Sequence, residues 1–339
     1  MTALRNGMLS PNAWGRTLKP SSTASTWGLN ETRPHPLGWG IFLFWGETMA
    51  LRAERRMKYA MILPVLIFIL SLAIFPLVFS ILISLSQWTP GTGGLRFVGF
   101  KNFLDMVRDP RFAHAFGLSF LYVGSVVGIE LGLGILLAMI LQKDVAGKNF
   151  FRVTYMLPML LSPVAISYVW KMILDYNRGP LNYFLSWFGI APVEWLGKGG
   201  TALLSLILVD VWQWTPFMIF TILAAFESIS EELYEAALVD GASHTHVFFH
   251  ITLPVAFPVI ITVVLLRVID AFKVFDTVYV LTGGGPGTAT ETLNFYIYLK
   301  GFRAFNLGYG TAMSWAQLII IVIMFTYLTR FLQRIGALR

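Results

Sequence analysis

The sequence predicts an all-α protein, a polytopic membrane helix bundle with six transmembrane helices, and three observations support that prediction. Of the 339 residues, 56% are hydrophobic and only 13% are charged, which is far more apolar than an ordinary soluble domain. Aromatic residues make up 15% of the chain, as expected of helices that face lipid and place rings at the two membrane interfaces. Six apolar segments are each long enough to cross about 30 Å of hydrocarbon as a helix.

The six predicted spans follow one another along most of the chain. They are about Tyr59–Ser86, Phe116–Leu141, Thr154–Leu174, Ala202–Phe226, Val255–Val280 and Thr311–Leu332. Several contain proline inside or at one end, which predicts kinked helices because a proline frees a backbone carbonyl that a neighbouring group must satisfy.

The chain before the first span has a different character. Residues 1–50 are polar, contain Pro and Ser and show no helical period, so they are predicted to be a disordered extension, and residues 51–339 the membrane domain. The short apolar patch Gly38–Ala50 is too brief to span and lacks the cleavage site of a signal peptide. The abrupt change of pattern at Arg52 makes Met49 or Met57 a candidate start of translation.

Basic residues flank both ends of the membrane domain and predict that both termini are cytoplasmic. They are Arg52, Arg55, Arg56 and Lys58 before the first span, and Arg330, Arg334 and Arg339 after the last. An even number of spans agrees with this orientation. The bias is modest, because Arg96, Lys101, Arg108 and Arg111 fall on the outer side. The net charge of +7 is scattered through loops rather than gathered in one stripe, so no nucleic-acid partner is predicted.

Several kinds of chemistry lack their usual residues. The chain has no cysteine, hence no disulfide and no thiolate ligand or nucleophile. It has no G-x-x-x-x-G-K-[ST] loop, and the glycine-rich run at Gly283–Gly287 lacks the required Lys and hydroxyl, which predicts a turn. His246 and His250 have a spacing that can hold a metal on one helix face, with His244 nearby, but no carboxylate or cysteine completes the set. We therefore expect neither a metal nor a cofactor in this chain.

The polar segment Glu227–His250, between the fourth and fifth predicted spans, is predicted to form two short helices. Ser230 suits an N-cap, and two glutamates follow it in the first turn, where the helix dipole favours negative charge. Gly241 marks the end of the first helix, because glycine turns readily through positive φ, and Ser243 can cap the second.

Within and after this segment, Glu235-Ala236-Ala237, Gly241 and Ile251-Thr252-Leu253-Pro254 resemble the EAA signature of binding-protein-dependent ABC permeases. The resemblance implies a cytoplasmic coupling helix that docks into a cleft on an ATPase subunit and transmits its closure to the spans. The residues assigned to coupling are Glu235, Ala236, Ala237, Asp240, Gly241, Ile251, Leu253 and Pro254. We call Glu227–His250 the coupling segment.

The resemblance extends over about Met57–Arg339 and is closest to the sugar and polyol permeases of the maltose-transporter class. The run from Arg267 to Asp276 and the following Leu281–Gly287 are similar to that subgroup. The resemblance implies alternating access in a bacterial inner membrane, with a second permease subunit, two ATPase subunits that bind ATP and Mg²⁺, and an extracytoplasmic solute-binding protein. The solute stays open among a disaccharide, a polyol, a glycerol derivative and glycerol phosphate.

Charged residues within the fifth predicted span are the first candidates for the solute pathway. They are Arg267, Asp270, Lys273 and Asp276, and unpaired they would each cost a few kcal/mol in lipid, on the order of 2.5–3.5 by insertion scales. A spacing of three predicts pairs from Arg267 to Asp270 and from Asp270 to Lys273. The same spacing advances a helix by about 300°, which would carry Asp276 round to the face opposite Arg267. An ion-pair network and a pathway lining both remain open.

Three other side chains lie inside predicted spans. Trp212 and Trp214 sit midway along the fourth span, away from the interfaces where tryptophans concentrate, so they either stack on a sugar or pack the bundle. Glu130 in the second span has no cation near it in sequence, and it either faces the pathway or bonds a neighbouring helix.

The sequence does not favour two other classes of function. A secondary transporter would show repeated halves and more spans, and it would not need the coupling signature. A membrane-embedded enzyme would need a metal-ligand cluster, a G-x-S-x-G motif or paired catalytic carboxylates, none of which the sequence presents.

Overall fold

A computed structural model describes residues 57–88, 94–142 and 147–334. The predicted disordered extension, residues 1–50, lies outside these ranges, and so does Met49, one of the two candidate translation starts. Arg52, Arg55, Arg56 and Arg339 lie outside them as well. The chain divides into two compact units, Met1–Phe68 and Ile69–Arg339. All contacts described below lie within the second unit.

Among the residues that the structure describes, five helices are long and apolar enough to cross a membrane, and a sixth candidate is a bent pair. Spans 1, 2, 4, 5 and 6 are Met57–Ser84, Pro110–Gln142, Gly199–Glu227, His244–Phe272 and Leu307–Arg334. The bent pair, span 3, consists of Lys148–Leu160 and Pro163–Ile173. The prediction of an all-α polytopic bundle is therefore confirmed.

Span 3, predicted over Thr154–Leu174 as a kinked helix, is broken into two helices rather than kinked. Its two halves are bent by 99°. Leu161 and Ser162 between them adopt extended backbone conformations, with ψ of 151° and 130°. The cause is Pro163, because the ring of a proline disfavours the helical conformation of the residue before it.

Span 5 corrects the predicted range Val255–Val280 at both ends. It begins at His244, because the second short helix of the coupling segment runs into it through the π-helical turn Phe248–Thr252, and Pro254 fits in the first turn that follows. It ends at Phe272, and Lys273 is its C-cap. Asp276 therefore lies beyond the helix on which the sequence placed it.

Short elements connect the spans. A two-stranded antiparallel ribbon pairs Ser86–Gln87 with Arg96–Phe97. The short helices are Lys101–Val107, Pro180–Ser186, Glu231–Val239 and Leu293–Tyr298. The other π-helical turns are Leu70–Ile74, Val278–Thr282 and Leu299–Arg303.

Spans 2, 4 and 5 form the centre of the second unit. Val126, Leu206 and Ile219 are fully buried there. Spans 2 and 4 approach closely at Gly134, where an added Cβ would lie 2.8 Å from Met218 Cβ. Many large apolar side chains elsewhere are exposed, such as Val322 and Ile323 of span 6, as expected of helices that face lipid. This centre positions the polar residues described next.

Candidate functional site

A buried ion pair joins span 5 to span 2. Arg267 Nε donates to Glu130 Oε2 at 2.8 Å, and Arg267 Nη2 donates to Glu130 Oε1 at 3.0 Å. The exposed fractions of the two side chains are 2% and 0%. Of the two roles open for Glu130, the structure supports the bond to a neighbouring helix.

Asp210 of span 4 completes this cluster, and the sequence reasoning missed it. Arg267 Nη2 lies 2.8 Å from Asp210 Oδ2, and the Tyr122 hydroxyl donates to the same oxygen at 2.7 Å. Trp214 presents its ring to the guanidinium, 5.4 Å from ring centroid to Cζ. The signal that could have identified Asp210 is an acidic residue in the middle of an apolar span, the same signal that Glu130 gave.

The charged ladder continues from Arg267 to the end of span 5. Arg267 Nη1 lies 3.6 Å from Asp270 Oδ2, and Lys273 Nζ lies 3.3 Å from Asp270 Oδ1. Both predicted pairs are therefore confirmed. The prediction that Asp276 lies opposite Arg267 is wrong, because the helix ends before Asp276 and the chain turns back toward the same cavity.

That cavity has a volume of about 150 Å³ and lies among spans 3, 4 and 5. Pro163 at the break of span 3 lines one side, Asp210 and Trp214 line another, and Arg267 to Thr277 supply the rest. Five of the six predicted pathway residues meet there. They are Trp214, Arg267, Asp270, Lys273 and Asp276.

Trp212 is the sixth, and it lies elsewhere. It lines an apolar groove of about 500 Å³ between spans 2, 3 and 4, and its ring packs edge-on against Trp170 at 5.5 Å. Residues two positions apart in a helix are separated by about 200° around its axis, so Trp212 and Trp214 point to different faces. The contact with Trp170 favours bundle packing, one of the two alternatives, for Trp212.

The coupling segment has the predicted two helices. The first runs over Glu231–Val239, with Ser230 at the N-cap position but without a capping bond from its side chain. Gly241 follows with φ of 72°. The amide of Gly241 donates to Leu238 O and the amide of Ala242 donates to Ala237 O, which together make a Schellman motif. Ser243 caps the second helix by accepting from the His246 amide at 3.3 Å.

The residues assigned to coupling differ in exposure. Glu235, Ala236, Asp240, Gly241 and Pro254 are exposed, Ile251 and Leu253 are half-buried, and Ala237 is buried. Beside them, Leu238, Val239 and Phe249 expose 58%, 88% and 57% of their surface. The sequence reasoning did not identify these three. An exposed apolar surface rimmed by acidic residues is typical of a protein contact site.

The coupling segment contacts three spans. The hydroxyls of Tyr234 and Thr252 lie 3.2 Å apart, and Gln142 Nε2 at the end of span 2 donates to the Tyr234 hydroxyl at 3.5 Å. Phe226 at the end of span 4 meets Phe248 edge-on at 6.3 Å. Displacement of the first helix would therefore act on spans 2 and 5 through Tyr234, and displacement of the turn at Phe248 would act on span 4.

The histidines of this segment are exposed. The rings of His246 and His250 stack at 3.9 Å, and His250 Nδ1 lies 3.0 Å from the carbonyl oxygen of His246. Within the part of the chain that the structure describes, no three His, Cys, Asp or Glu side chains are grouped to hold a metal ion.

At the opposite end of the bundle, the start of span 2 is clasped to the chain between spans 5 and 6. Arg111 donates to both carboxylate oxygens of Glu291, at 2.7 Å from Nε and 2.6 Å from Nη2. Asp109 Oδ2 accepts from the hydroxyls of Tyr296 and Tyr309, at 2.5 and 2.7 Å. Burial alone would raise the pKa of the Asp109 carboxyl, but these hydrogen bonds outweigh burial and hold that pKa below its ordinary value.

Comparisons with known proteins agree with this architecture. Residues 130–337 match the family described as binding-protein-dependent transport system inner membrane component. The trehalose/maltose transport system permease protein MalF of Thermococcus litoralis is 36% identical over 80% of this chain and 91% of its own. The probable ABC transporter permease protein y4oQ of Sinorhizobium fredii is 35% identical over 81% of this chain and 90% of its own.

A solved structure shares the fold. It is the crystal structure of a bacterial ABC transporter involved in the import of the acidic polysaccharide alginate, with a TM-score of 0.75 over 85% of this chain and 99% of the matched chain, at 23% identity. Permeases of the matched family work with a substrate-binding protein and with an ATPase that is a separate subunit. Because the family match covers more than half of its residues, the chain belongs to the binding-protein-dependent transport system inner membrane components, the multi-pass permease subunits of ABC importers.

Proposed function

We propose that this permease imports a sugar, polyol or glycerol derivative by alternating access, and that the charged cavity belongs to its solute route. The observation that carries the proposal is the meeting of Trp214 with Asp210, Arg267 and Asp270 around one cavity inside the bundle. An indole ring offers an apolar face to a sugar ring, and charged groups beside it bond hydroxyls. Relatives named for trehalose and maltose support the same class of solute.

The second part of the proposal concerns the link to ATP. The coupling segment docks on an ATPase subunit through its exposed acidic and apolar residues, with Glu235 facing a basic partner residue and Gly241 setting the angle between the two helices. The bonds from Tyr234 to Thr252 and from Gln142 to Tyr234 support this role, because they join the docking surface to spans 2 and 5.

The proposed assembly contains this chain, a second related permease, two ATPase subunits and an extracytoplasmic binding protein. Residues 51–339 form its transmembrane domain, and residues 1–50 precede that domain as an extension. Both termini lie in the cytoplasm, so that the coupling segment faces the ATPase and the Arg111–Glu291 clasp faces the binding protein.

Reconstitution of the complete complex tests the function. Proteoliposomes are loaded with ATP on the ATPase side and offered radiolabelled trehalose, maltose or glycerol with the binding protein on the other side. We expect uptake that requires ATP, the ATPase and the binding protein together. Uptake by this chain without the ATPase, driven by an ion gradient, would instead identify a secondary transporter. The absence of uptake of every sugar and polyol would reject the solute class.

A further inference from the structure

Arg267, the cation that lies deepest in the cavity, is already paired with carboxylates. Arg267 uses Nε and Nη2 on Glu130, shares Nη2 with Asp210, and holds Nη1 3.6 Å from Asp270. A guanidinium has five N–H donors in a fixed plane, and these contacts take up each of its three nitrogens. Arg267 is 2% exposed, so little of it is left to meet a solute.

The second cation of the cavity is also paired. Lys273 Nζ lies 3.3 Å from Asp270 Oδ1, and its side chain is 62% exposed at the mouth. The carboxylates that line the cavity therefore outnumber the cations, with Asp210, Asp270 and Asp276 against Arg267 and Lys273.

Carboxylate oxygens stay available to a solute on both sides of the cavity. Within the described ranges, the Asp276 side chain forms no ion pair or hydrogen bond, and both contacts of the Asp210 carboxylate involve Oδ2 and leave Oδ1. Such oxygens accept hydrogen bonds from solute hydroxyls. They repel a solute carboxylate, sulfonate or phosphate, and like charges brought together in a desolvated site lower affinity by about tenfold or more, which corresponds to about 1.4 kcal/mol or more.

We propose that the cavity selects uncharged polyhydroxyl solutes and excludes acidic ones, and that Glu130 is the positioning residue that holds the Arg267 guanidinium out of reach of the solute. The proposal rests on the proposed function, since it assigns the charge class of the solute at the same site. Glu130 lies behind Arg267 and does not line the cavity, so its effect is exerted through Arg267. The pair Glu130–Arg267 then decides whether the guanidinium is a buried anchor or an anion-binding group.

Equilibrium binding to the permease–ATPase complex, held with a non-hydrolysable ATP analogue and without the binding protein, tests the proposal directly. The probes are radiolabelled maltotriose and maltotrionate, which have the same number of sugar units; in maltotrionate the reducing-end ring is opened and carries a carboxylate. We expect the wild-type complex to bind maltotriose at least about tenfold more tightly than maltotrionate. Glu130→Gln, which releases one carboxylate from Arg267, and Asp276→Lys, which reverses a charge at the mouth, should each lower that ratio by about tenfold.

The selectivity ratio separates this role from a structural one. A purely structural Glu130 would weaken both probes equally in Glu130→Gln, and that result overturns its positioning role. Asp276→Lys leaves the buried cluster intact, so it decides the charge argument even where Glu130→Gln does not assemble; Asp105→Lys, outside the cavity, is its control. Equal binding of the two probes by the wild type, or binding of neither, overturns the selectivity. Binding-protein-stimulated ATP hydrolysis in the same preparation shows whether the permease function itself holds.

Discussion

Arg267 in span 5 and Glu130 in span 2 form a two-point ion pair across 137 residues of sequence, with both side chains almost completely buried. Arg267 also forms an ion pair with Asp210 of span 4, so a single guanidinium links spans 2, 4 and 5. Its contact with Glu130 is bidentate, which is the strongest form of an arginine–carboxylate contact. The same residue also borders the cavity that we propose as part of the solute route, so the stability of the bundle and the charge of that cavity depend on one contact.

Removal of one partner from this pair should be strongly destabilising. Glu130→Ala leaves the buried Arg267 charge uncompensated on one side, and breaking a buried pair in this way costs about 3–5 kcal/mol. We expect a marked fall in the melting temperature of the detergent-solubilised complex and in the amount of chain in the membrane. The control is Glu194→Ala, which breaks the exposed pair with Lys198 at 4.0 Å and should cost about 0–1 kcal/mol. Equal melting temperatures for the two variants would contradict the anchoring role.

The extent to which the sequence predicted this cluster depended on the distance between partners along the chain. The pairs of Asp270 with Arg267 and Lys273 were predictable, because a spacing of three residues places side chains on adjoining helix positions. The pairing of Glu130 with Arg267 was not, because it depends on how spans 2 and 5 pack. Asp210 was missed for the same reason, since the sequence shows no partner for it nearby.

The ends of helices followed a similar rule. Gly241 and Ser243 were predicted in their observed roles, because a helix end is decided by a few local residues. At Pro163 the sequence predicted a kink, but the structure has a complete break. Pro158 and Pro163, five residues apart, each lack a backbone N–H, so few helical hydrogen bonds can form between them. The position of Asp276 was then wrong because it depended on extending span 5 past its true end at Phe272.

The hydrogen bonds that Asp109 accepts from Tyr296 and Tyr309 should make the folded protein less stable at acidic pH. Because the folded-state pKa of Asp109 lies below its ordinary value of 3.8, the stabilisation is fully present above that value and is lost as the pH falls through the folded pKa. Asp109→Asn should therefore lower the melting temperature at pH 7, by the equivalent of about 1 kcal/mol, and have little effect at the most acidic pH that the complex tolerates. Asp105→Asn, on the preceding helix, is the control and should not differ between the two conditions.

Asp276 should matter for transport more than for assembly. It is exposed at the cavity mouth, and its side chain makes no hydrogen bond or ion pair within the described residues. Asp276→Ala should therefore change the free energy of unfolding by less than about 0.5 kcal/mol and leave the melting temperature nearly unchanged. Uptake should fall by about tenfold, because a hydrogen bond to a charged acceptor contributes about 1.5–3 kcal/mol. Asp105→Ala, exposed and outside the cavity, serves as control. Normal uptake in Asp276→Ala would remove this residue from the solute route.

Charge reversal on the coupling segment should weaken the hold on the ATPase. Glu235 is exposed on the first helix, so Glu235→Lys leaves the spans intact but repels the basic residue that we expect on the partner. A pull-down of the ATPase with the solubilised permease should recover less ATPase for Glu235→Lys than for wild type, and Glu235→Gln, which only removes the charge, should fall between them. Recovery that is the same for all three would exclude Glu235 from the contact.

The backbone turn at Gly241 should be needed for coupling itself. A β-branched residue at φ of 72° is strained by about 1–3 kcal/mol, so Gly241→Val should change the angle at which the second helix leaves the first. An added Cβ at this position meets no neighbouring atom within 4 Å, so the expected effect comes from the backbone. We expect insertion into the membrane to be retained and solute-stimulated ATP hydrolysis to be lost.

Gly189 provides a closely matched control for this strain. Its φ is 71°, an added Cβ there also meets no neighbour, and it lies after the short helix Pro180–Ser186, between spans 3 and 4 and away from the coupling segment. Gly189→Val should therefore carry the same backbone cost, while solute-stimulated ATP hydrolysis and uptake stay near wild-type values. If Gly241→Val hydrolyses ATP and transports solute as well as Gly189→Val does, the turn between the two helices does not transmit ATPase closure. If only Gly241→Val loses coupling, backbone strain by itself is excluded as the cause. The direction that Gly241 gives to the second helix is then required for coupling.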